Sequence, residues 1–438
     1  MAKDRDNQRA VPTSRFGRFA RVARMAGGVA GGMIAEGSRQ LANGKRPRAR
    51  DMLLTPGNAR RVADELSKMR GAAMKVGQIL SMDTGDFLPR ELADILARLR
   101  DDANSMPPEQ LCQVMENAYG EDWESLFYGF DFKPIAAASI GQVHKAISPD
   151  GREIALKIQY PGVAKSIDSD VDNIASLLRM SGLMPEGIDI QPLLEDAKLQ
   201  LKDEANYLTE SEYLEAFNEV LSTDERFILP QLLPDLTTEH VLVMTYVSGQ
   251  PIEVIAELPQ EDRDRVMAAL IELMFKELFE LRMVQTDPNF ANYLYREDTG
   301  QIVLLDFGAT RHFKAGFSNN YKSLMKAAVA GNEKRLLGAA EKLGYVGLNA
   351  SEEYRELVLS MFLMVLEPLT RDEAYDFGET DLPARMAEMA EPVQDYKEFW
   401  SAPPTDAVYF HRKLGGMFLL ANRIGARVNV RQLISQWL

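Results

Sequence analysis

Apolar positions recur every three to four residues from Thr55 to Met82, where Val62, Leu66, Met69, Ala73, Val76 and Leu80 fall on one stripe, the period of an amphipathic helix. Thr55 is placed to cap it and Pro56 to open its first turn. A second helix is predicted after Pro89 and a third from Pro107–Pro108. The period changes at Asp131. The run FKPIAAASIGQVHKAISPDGREIALKIQY predicts three short strands, with Ser148-Pro149-Asp150-Gly151 as the turn between the last two. Helical spacing resumes at Pro161, and Pro192 to Leu221 is predicted as one long helix. Strand-like stretches follow at Arg226–Leu229 and His240–Tyr246. From Gln260 the pattern is helical, broken by two short segments around Thr286 and Val303. Near the start, Phe16, Phe19, Ala20 and Ala23 share one helical face while Arg15, Arg18, Arg21 and Arg24 spread over the other, the pattern of an interfacial helix. The glycines after it, Gly27 with Gly31 and Gly28 with Gly32, have the spacing that lets helices approach closely in lipid.

Charge sharpens this picture. Residues 1–50 carry twelve Lys or Arg and three Asp or Glu, a charge of +9, which leaves −24 on the remainder of a chain whose net charge is −15. A basic arm on an acidic body predicts contact with an anionic surface, with residues 1–12 solvated, and argues against nucleic acid as a partner. Met25–Ala35 is glycine-rich and shorter than the roughly 20 apolar residues a membrane span needs, and no later run is longer. No secretory signal is visible. Cys112 is the single cysteine, and the four histidines (His144, His240, His312, His411) lack zinc spacing. A metal would therefore sit on hard oxygens, which favours Mg²⁺.

The strongest chemical signal is an ordered set of oxygen-bearing residues. Asp287 and Asn292 are five apart in QTDPNFANY, and Asp306-Phe307-Gly308 begins fourteen residues after Asn292, at the end of an apolar strand, Ile302 to Leu305. Protein kinases use this arrangement. Asn292 and Asp306 would hold Mg²⁺ on the nucleotide phosphates, and Asp287 would accept a proton or orient a nucleophile. Upstream, Ile154-Ala155-Leu156-Lys157 matches the kinase strand whose lysine pairs the phosphates. The loop before it, Ala136-Ala137-Ala138-Ser139-Ile140-Gly141-Gln142, has alanines where kinases have glycines, and so predicts a stiffer phosphate-binding loop. Lys157 needs an acidic partner on a following helix, and about fifty residues intervene before the candidates Glu204 and Glu210, so an insertion must precede that helix. On that helix Asn206 and Glu210 share a face, with Glu204 on a neighbouring one. Met244-Thr245-Tyr246-Val247 reads as a hinge whose backbone would bind adenine, with Met244 and Tyr246 as the contacts, and Gly249-Gln250-Pro251 turns into the helical part.

These residues resemble the UbiB family, also called aarF-domain or ADCK proteins, an atypical branch of the kinase-like fold that serves ubiquinone biosynthesis. Lys75-Val76-Gly77-Gln78 matches the family's K-x-G-Q motif, the Ala136–Gln142 loop its alanine-rich loop, and Glu204-Ala205-Asn206 its E-x-D motif, with Asn206 in place of the Asp. Read alone, Lys75 would be a solvated lysine; spacing puts it and Gln78 on one helical face. The resemblance implies an α+β, two-lobed atypical kinase fold with a helical N-terminal extension and an insert: a membrane-associating segment at 1–50, the extension at 51–130, an N-lobe at 131–248 and a helical C-lobe at 249–438. It implies ATP and Mg²⁺ as cofactors, Lys75, Gln78, Glu204 and Asn206 as regulatory residues over the cleft, and Asp287, Lys157 and Glu210 as catalytic ones. The expected function is Mg-dependent ATP binding and hydrolysis supporting ubiquinone biosynthesis, peripheral to the cytoplasmic side of a membrane (the matrix side in a mitochondrion). Expected partners are ATP or ADP, anionic lipids, quinone precursors and ubiquinone-biosynthesis proteins. A protein kinase acting on Ser or Thr, and a non-catalytic nucleotide-gated lipid-binding scaffold, are the alternatives. Against the first, no A-P-E element or long activation loop follows Asp306.

Overall fold

The computed structural model describes Ala72, Lys75 and Val76 and residues 106–180, 191–347, 349–393 and 404–438. The expected membrane helix at 13–35, the remainder of the helix from Thr55, the helix after Pro89, and Gln78 lie outside the described residues. The chain forms two compact units. The first takes the described residues up to Ala216 together with Pro230–Tyr246, and the second takes Phe217–Leu229 and Val247–Leu438.

In the first unit, α1 (Pro108–Tyr119) precedes a four-stranded antiparallel sheet in the order β1-β2-β3-β5, built from β1 (Ala136–Ala138), β2 (Gly141–Ile147), β3 (Glu153–Gln159) and β5 (Val241–Thr245). The two-residue period of a strand divides the labour of β3. Ile154, Leu156 and Ile158 join Val241 and Val243 in a core with Leu111, Val114 and Met115 of α1. Ala155, Lys157 and Gln159 point to the opposite face and are also buried. The turn predicted at Ser148–Gly151 is present, with Gly151 at a positive φ of 89° and its N–H donating to the Ser148 carbonyl.

Between β3 and the helix bearing Glu210 lie two inserted helices, α2 (Val163–Met180) and α3 (Gln191–Glu204). The single helix predicted over Pro192–Leu221 is in fact two, because α3 stops at Glu204 and α4 runs over Tyr207–Leu221. The cause is local competition for backbone groups. The Asn206 side chain accepts from the Leu208 N–H at 3.1 Å, and Gln159 reaches across to donate to the Ala205 carbonyl at 2.8 Å. Asn206 is thus the exposed start of α4 and does not share a helical face with Glu210.

Gly141 opens β2 with no room for a side chain. A Cβ there would lie 2.3 Å from the Ile158 carbonyl oxygen and 2.9 Å from the Tyr207 hydroxyl. Gly141→Ala should therefore push the β1–β2 hairpin off β3, costing on the order of 1–3 kcal/mol of stability, and should weaken ATP binding. Equal melting temperatures and ATP affinities for variant and parent would refute this.

The second unit holds the parallel pair of β4 (Phe227–Ile228) with β9 (Gln301–Leu304), extended by β8 (Tyr293–Arg296) and β6 (Gln250–Pro251) in the order β4-β9-β8-β6. Helix α5 (Gln260–Lys276) precedes a π-helical turn at Glu277–Leu281. Then β7 (Met283–Gln285) pairs with β10 (Thr310–His312). The two strand-like breaks expected after Gln260 are therefore several short strands. They continue with a pairing of β11 (Tyr375–Asp376) and β12 (Arg427–Val428) that no two-residue pattern could announce. The remaining helices are α6 (Ala315–Val329), α7 (Glu333–Lys342), α8 (Glu352–Val365), α9 (Glu367–Thr370), α10 (Leu382–Val393), α11 (Thr405–Ile424) and α12 (Val430–Ile434). Among the described residues no helix is long and apolar enough to cross a membrane.

Candidate functional site

Lys157 lies on the buried side of β3, where an unpaired ammonium would be costly. Its Nζ donates to both carboxylate oxygens of Glu210, at 2.7 and 2.9 Å. Glu210 sits in the first turn of α4, where the helix dipole favours a negative charge. The Lys157 ammonium also lies 5.4 Å from the centre of the Tyr207 ring. The insertion predicted between them is α2 and α3.

A second buried pair stands beside the alanine-rich loop. Lys75 is 1% exposed and its Nζ donates to Glu204 Oε1 at 2.5 Å. Glu204 ends α3, where its charge opposes the helix dipole. Lys75 offsets that charge on one oxygen, and the Ser139 hydroxyl donates to the other. Lys75 is thus no solvated lysine, and the K-x-G-Q, E-x-D and alanine-loop motifs meet at one carboxylate.

The loop itself is a tight hairpin. Ala138 pairs with Gly141, leaving only Ser139 and Ile140 in the turn. Ile140 is buried, and its carbonyl accepts from the Tyr160 N–H at 2.8 Å. Ala136 and Ala137 are exposed. Gln142 is different. Its side chain is buried, accepts from the Met106 N–H at 2.8 Å, and lies 2.7 Å from His144 Nε2. His144 Nδ1 is 2.7 Å from the Asp131 carbonyl, which can only accept. The imidazole is therefore protonated at Nδ1 and takes the Gln142 amide proton at Nε2. Burial keeps His144 below the ordinary histidine range, so this neutral chain persists. The Gln142 side chain is committed to anchoring the hairpin. At the predicted hinge, Met244 is buried on β5, and the Tyr246 N–H donates to the Glu153 carbonyl at 2.9 Å.

In the second unit the β8–β9 hairpin explains the fourteen-residue interval. Tyr293 pairs with Leu304. One step outward, the Leu305 N–H donates to the Asn292 carbonyl at 3.0 Å, so Asn292 and Asp306 emerge side by side where the hairpin opens. The Asp306 carboxylate accepts from the Gly308 N–H at 2.9 Å. Phe307 is buried with its ring centre 4.8 Å from that of Phe217. Asp287 is half-buried, and its Oδ1 accepts from the Asn289 N–H. Thr286 ties the loop to Ala309 through both its N–H and its hydroxyl. No group of three His, Cys, Asp or Glu forms a metal cluster among the described residues. Asn292 and Asp306 nevertheless bring hard oxygens to the open end of one hairpin. That donor set fits Mg²⁺ completing its shell with phosphate and water.

Three further residues under the Asp287 loop carry no sequence signal. Lys413, buried in α11, donates to Tyr293 Oη at 2.8 Å and to Gln285 Oε1 at 3.2 Å. It thereby ties together the two strands between which the loop runs. Glu277, in the π-helical turn, lies 3.9 Å from the same ammonium, and burial pushes its carboxyl up to about 7. Gly416, one turn along α11, lets the helix touch Pro288, since a Cβ there would lie 2.1 Å from Pro288 Cβ.

The ABC1 atypical kinase-like domain matches residues 98–340. The chain is 35% identical over 436 residues to the atypical kinase COQ8, mitochondrial, of Saccharomyces cerevisiae, covering 99% of this chain and 87% of that one. It is also 35% identical over 434 residues to the atypical kinase coq-8, mitochondrial, of Caenorhabditis elegans, covering 97% of this chain. The chain spans 57% of the length of that nematode relative. Among solved structures, Rv3197 of Mycobacterium tuberculosis, determined in complex with erythromycin, matches with a TM-score of 0.60 and 25% identity, over 85% of this chain and 93% of that one.

Proposed function

The chain belongs to the ABC1 atypical kinase-like family and has its kinase-like fold, and from that premise we propose that it is a Mg-dependent ATP-binding atypical kinase or ATPase that supports ubiquinone biosynthesis at a membrane. The observation that carries this reading is the open end of the β8–β9 hairpin, which sets Asn292 beside Asp306. Mg²⁺ bound there would neutralise charge on the phosphates. The ammonium of Lys157, oriented by Glu210, holds phosphate oxygens. Asp287 orients the attacking hydroxyl or water and accepts its proton. Lys75, Glu204 and Ser139 close the nucleotide side of the first unit with buried charge and restrict what enters beside the phosphates.

Two features favour a small acceptor over a protein. The chain runs from Asp306 to the start of α6 at Ala315 in nine residues, too few for a peptide-docking activation loop. The buried Lys75–Glu204 pair beside the alanine-rich loop would also limit what approaches the phosphates. The basic arm of residues 1–50 supports action at an anionic surface.

The test is ATP turnover by the full chain, with and without vesicles of anionic lipid, beside quinone content in cells lacking the gene. Turnover should need Mg²⁺, rise on vesicles and fall by about 10²-fold or more in Asp287→Asn. Cells without the gene should lose quinone and accumulate its precursors. Phosphate transfer to a panel of proteins at rates above hydrolysis, or normal quinone content, would overturn the proposal.

A further inference from the structure

The helical part of the second unit lines a half-open cavity of about 600 Å³, within the roughly 300–1,000 Å³ range of small-molecule sites. Tyr321 and Met325 of α6, Met361 and Phe362 of α8, and His411 and Phe418 of α11 are among its walls. Asp287, Asn292 and Asp306 are not. We propose that this cavity binds a neutral, apolar ring compound carrying one hydroxyl or carbonyl oxygen.

The lining specifies that class by what it contains and what it omits. None of the described residues that line it is a Lys, Arg, Asp or Glu. A phosphate, carboxylate or ammonium group would enter without a counter-charge, at a cost of several kcal/mol. Nucleotides, and any lipid whose charged head would have to enter, are thereby disfavoured. Aromatic rings and methionines make up about half of the wall, with aliphatic side chains as the rest, and both rings and methionine sulfurs make favourable contacts with a flat ring.

Tyr345 and His411 form a paired polar feature in the wall. The Tyr345 hydroxyl lies 2.8 Å from His411 Nε2. Their rings stack at 5.6 Å with an interplanar angle of 14°, and Phe362 meets Tyr345 edge-on at 4.9 Å. Both Tyr345 and His411 keep accessible surface although they sit among core helices. Burial holds His411 neutral, with its pKa lowered to about 4. A neutral imidazole makes the pair adaptable. With the proton on Nδ1, Tyr345 donates to Nε2 and keeps a lone pair for an incoming hydroxyl. With the proton on Nε2, Tyr345 accepts from it and turns its own O–H to an incoming carbonyl. The pair can thus serve either oxygen without any net charge.

Calorimetric titration of the full chain with three probes of one shape tests this: 2-naphthol, 2-acetylnaphthalene and naphthalene. The two oxygenated probes should bind at least tenfold tighter than naphthalene. Tyr345→Phe, which keeps the ring and loses the hydroxyl, should bring both to the naphthalene value. Met361→Trp should fill the cavity and abolish binding of all three. If that variant does not fold, Tyr345→Phe decides alone. Equal affinity for the three probes, no binding of any, or an unchanged preference in Tyr345→Phe would each overturn the proposal. ATP affinity, measured in parallel, keeps this outcome separate from that of the nucleotide site.

Discussion

In Asp306→Asn, Mg²⁺ should no longer tighten ATP binding, and turnover should fall by about 10²–10³-fold, the loss expected when a metal site supplying several kcal/mol of charge stabilisation is dismantled. The exchange is nearly isosteric. Asn retains an oxygen that can accept from the Gly308 N–H, as Asp306 does at 2.9 Å, so the turn and the melting temperature should be preserved. What is lost is one unit of negative charge beside Asn292, and with it the preference for a doubly charged ion. Titration of ATP into parent and variant, each with Mg²⁺ and with chelator, separates the two effects. In the parent, affinity should depend strongly on the metal. In the variant the two curves should coincide within about threefold, near the parent's metal-free value. A variant that keeps the parent's metal dependence would show that the hairpin mouth is not the metal cradle.

The legibility of this site in the sequence follows from the range of the contacts that build it. Asn292 and Asp306 flank one hairpin, whose geometry sets their fourteen-residue interval, and Asp287 lies five residues before Asn292 in the loop leading into it. Lys157 could be read because it lies in a run with strand period, whereas Glu210, one of eleven acids in the three helices that follow, could be singled out only through the family resemblance. The break at Ala205–Asn206 was not legible, since it depends on Gln159 reaching across from β3. Nor was the burial of Lys75. Its partner Glu204 lies 129 residues away, and a helical lysine without a known partner reads as solvated. The same holds more strongly for the last hundred residues. There the sequence shows helices and little else, whereas the structure places Lys413 and Gly416 under the Asp287 loop and forms a half-open cavity beside Tyr345 and His411. Contacts between elements 65 to 130 residues apart leave no period in the chain. Strands of two or three residues, such as β11 and β12, are too short to show one.

Two adjacent glycines of α11 should behave oppositely, and the contrast tests whether that helix positions the catalytic loop. A Cβ on Gly415 would meet nothing within 4 Å. Gly415→Ala removes a flexible residue from a helix interior and adds one methyl to the wall of the cavity, away from the Asp287 loop, and should stabilise the protein by up to about 1 kcal/mol with turnover unchanged. A Cβ on Gly416 would lie 2.1 Å from Cβ and 3.2 Å from Cα of Pro288. The clash can be relieved only if helix and loop separate by more than about 1 Å, since ordinary contacts of this kind lie near 3.5–4 Å. Pro288 is joined directly to Asp287, so the displacement reaches the carboxylate proposed to orient the nucleophile. Misplacement of that size is worth roughly 10²-fold in rate. The loss in Gly416→Ala should appear in kcat. KM for ATP should stay within about threefold, because Lys157 and Glu210 lie in the other unit and Asn292 and Asp306 are fixed by the β8–β9 hairpin. The cost in stability should be about 1–3 kcal/mol from overpacking, small enough for a folded protein to be assayed. The experiment is steady-state ATP turnover and thermal unfolding of both variants beside the parent. If Gly416→Ala turns over ATP as fast as Gly415→Ala, α11 does not set the position of Asp287.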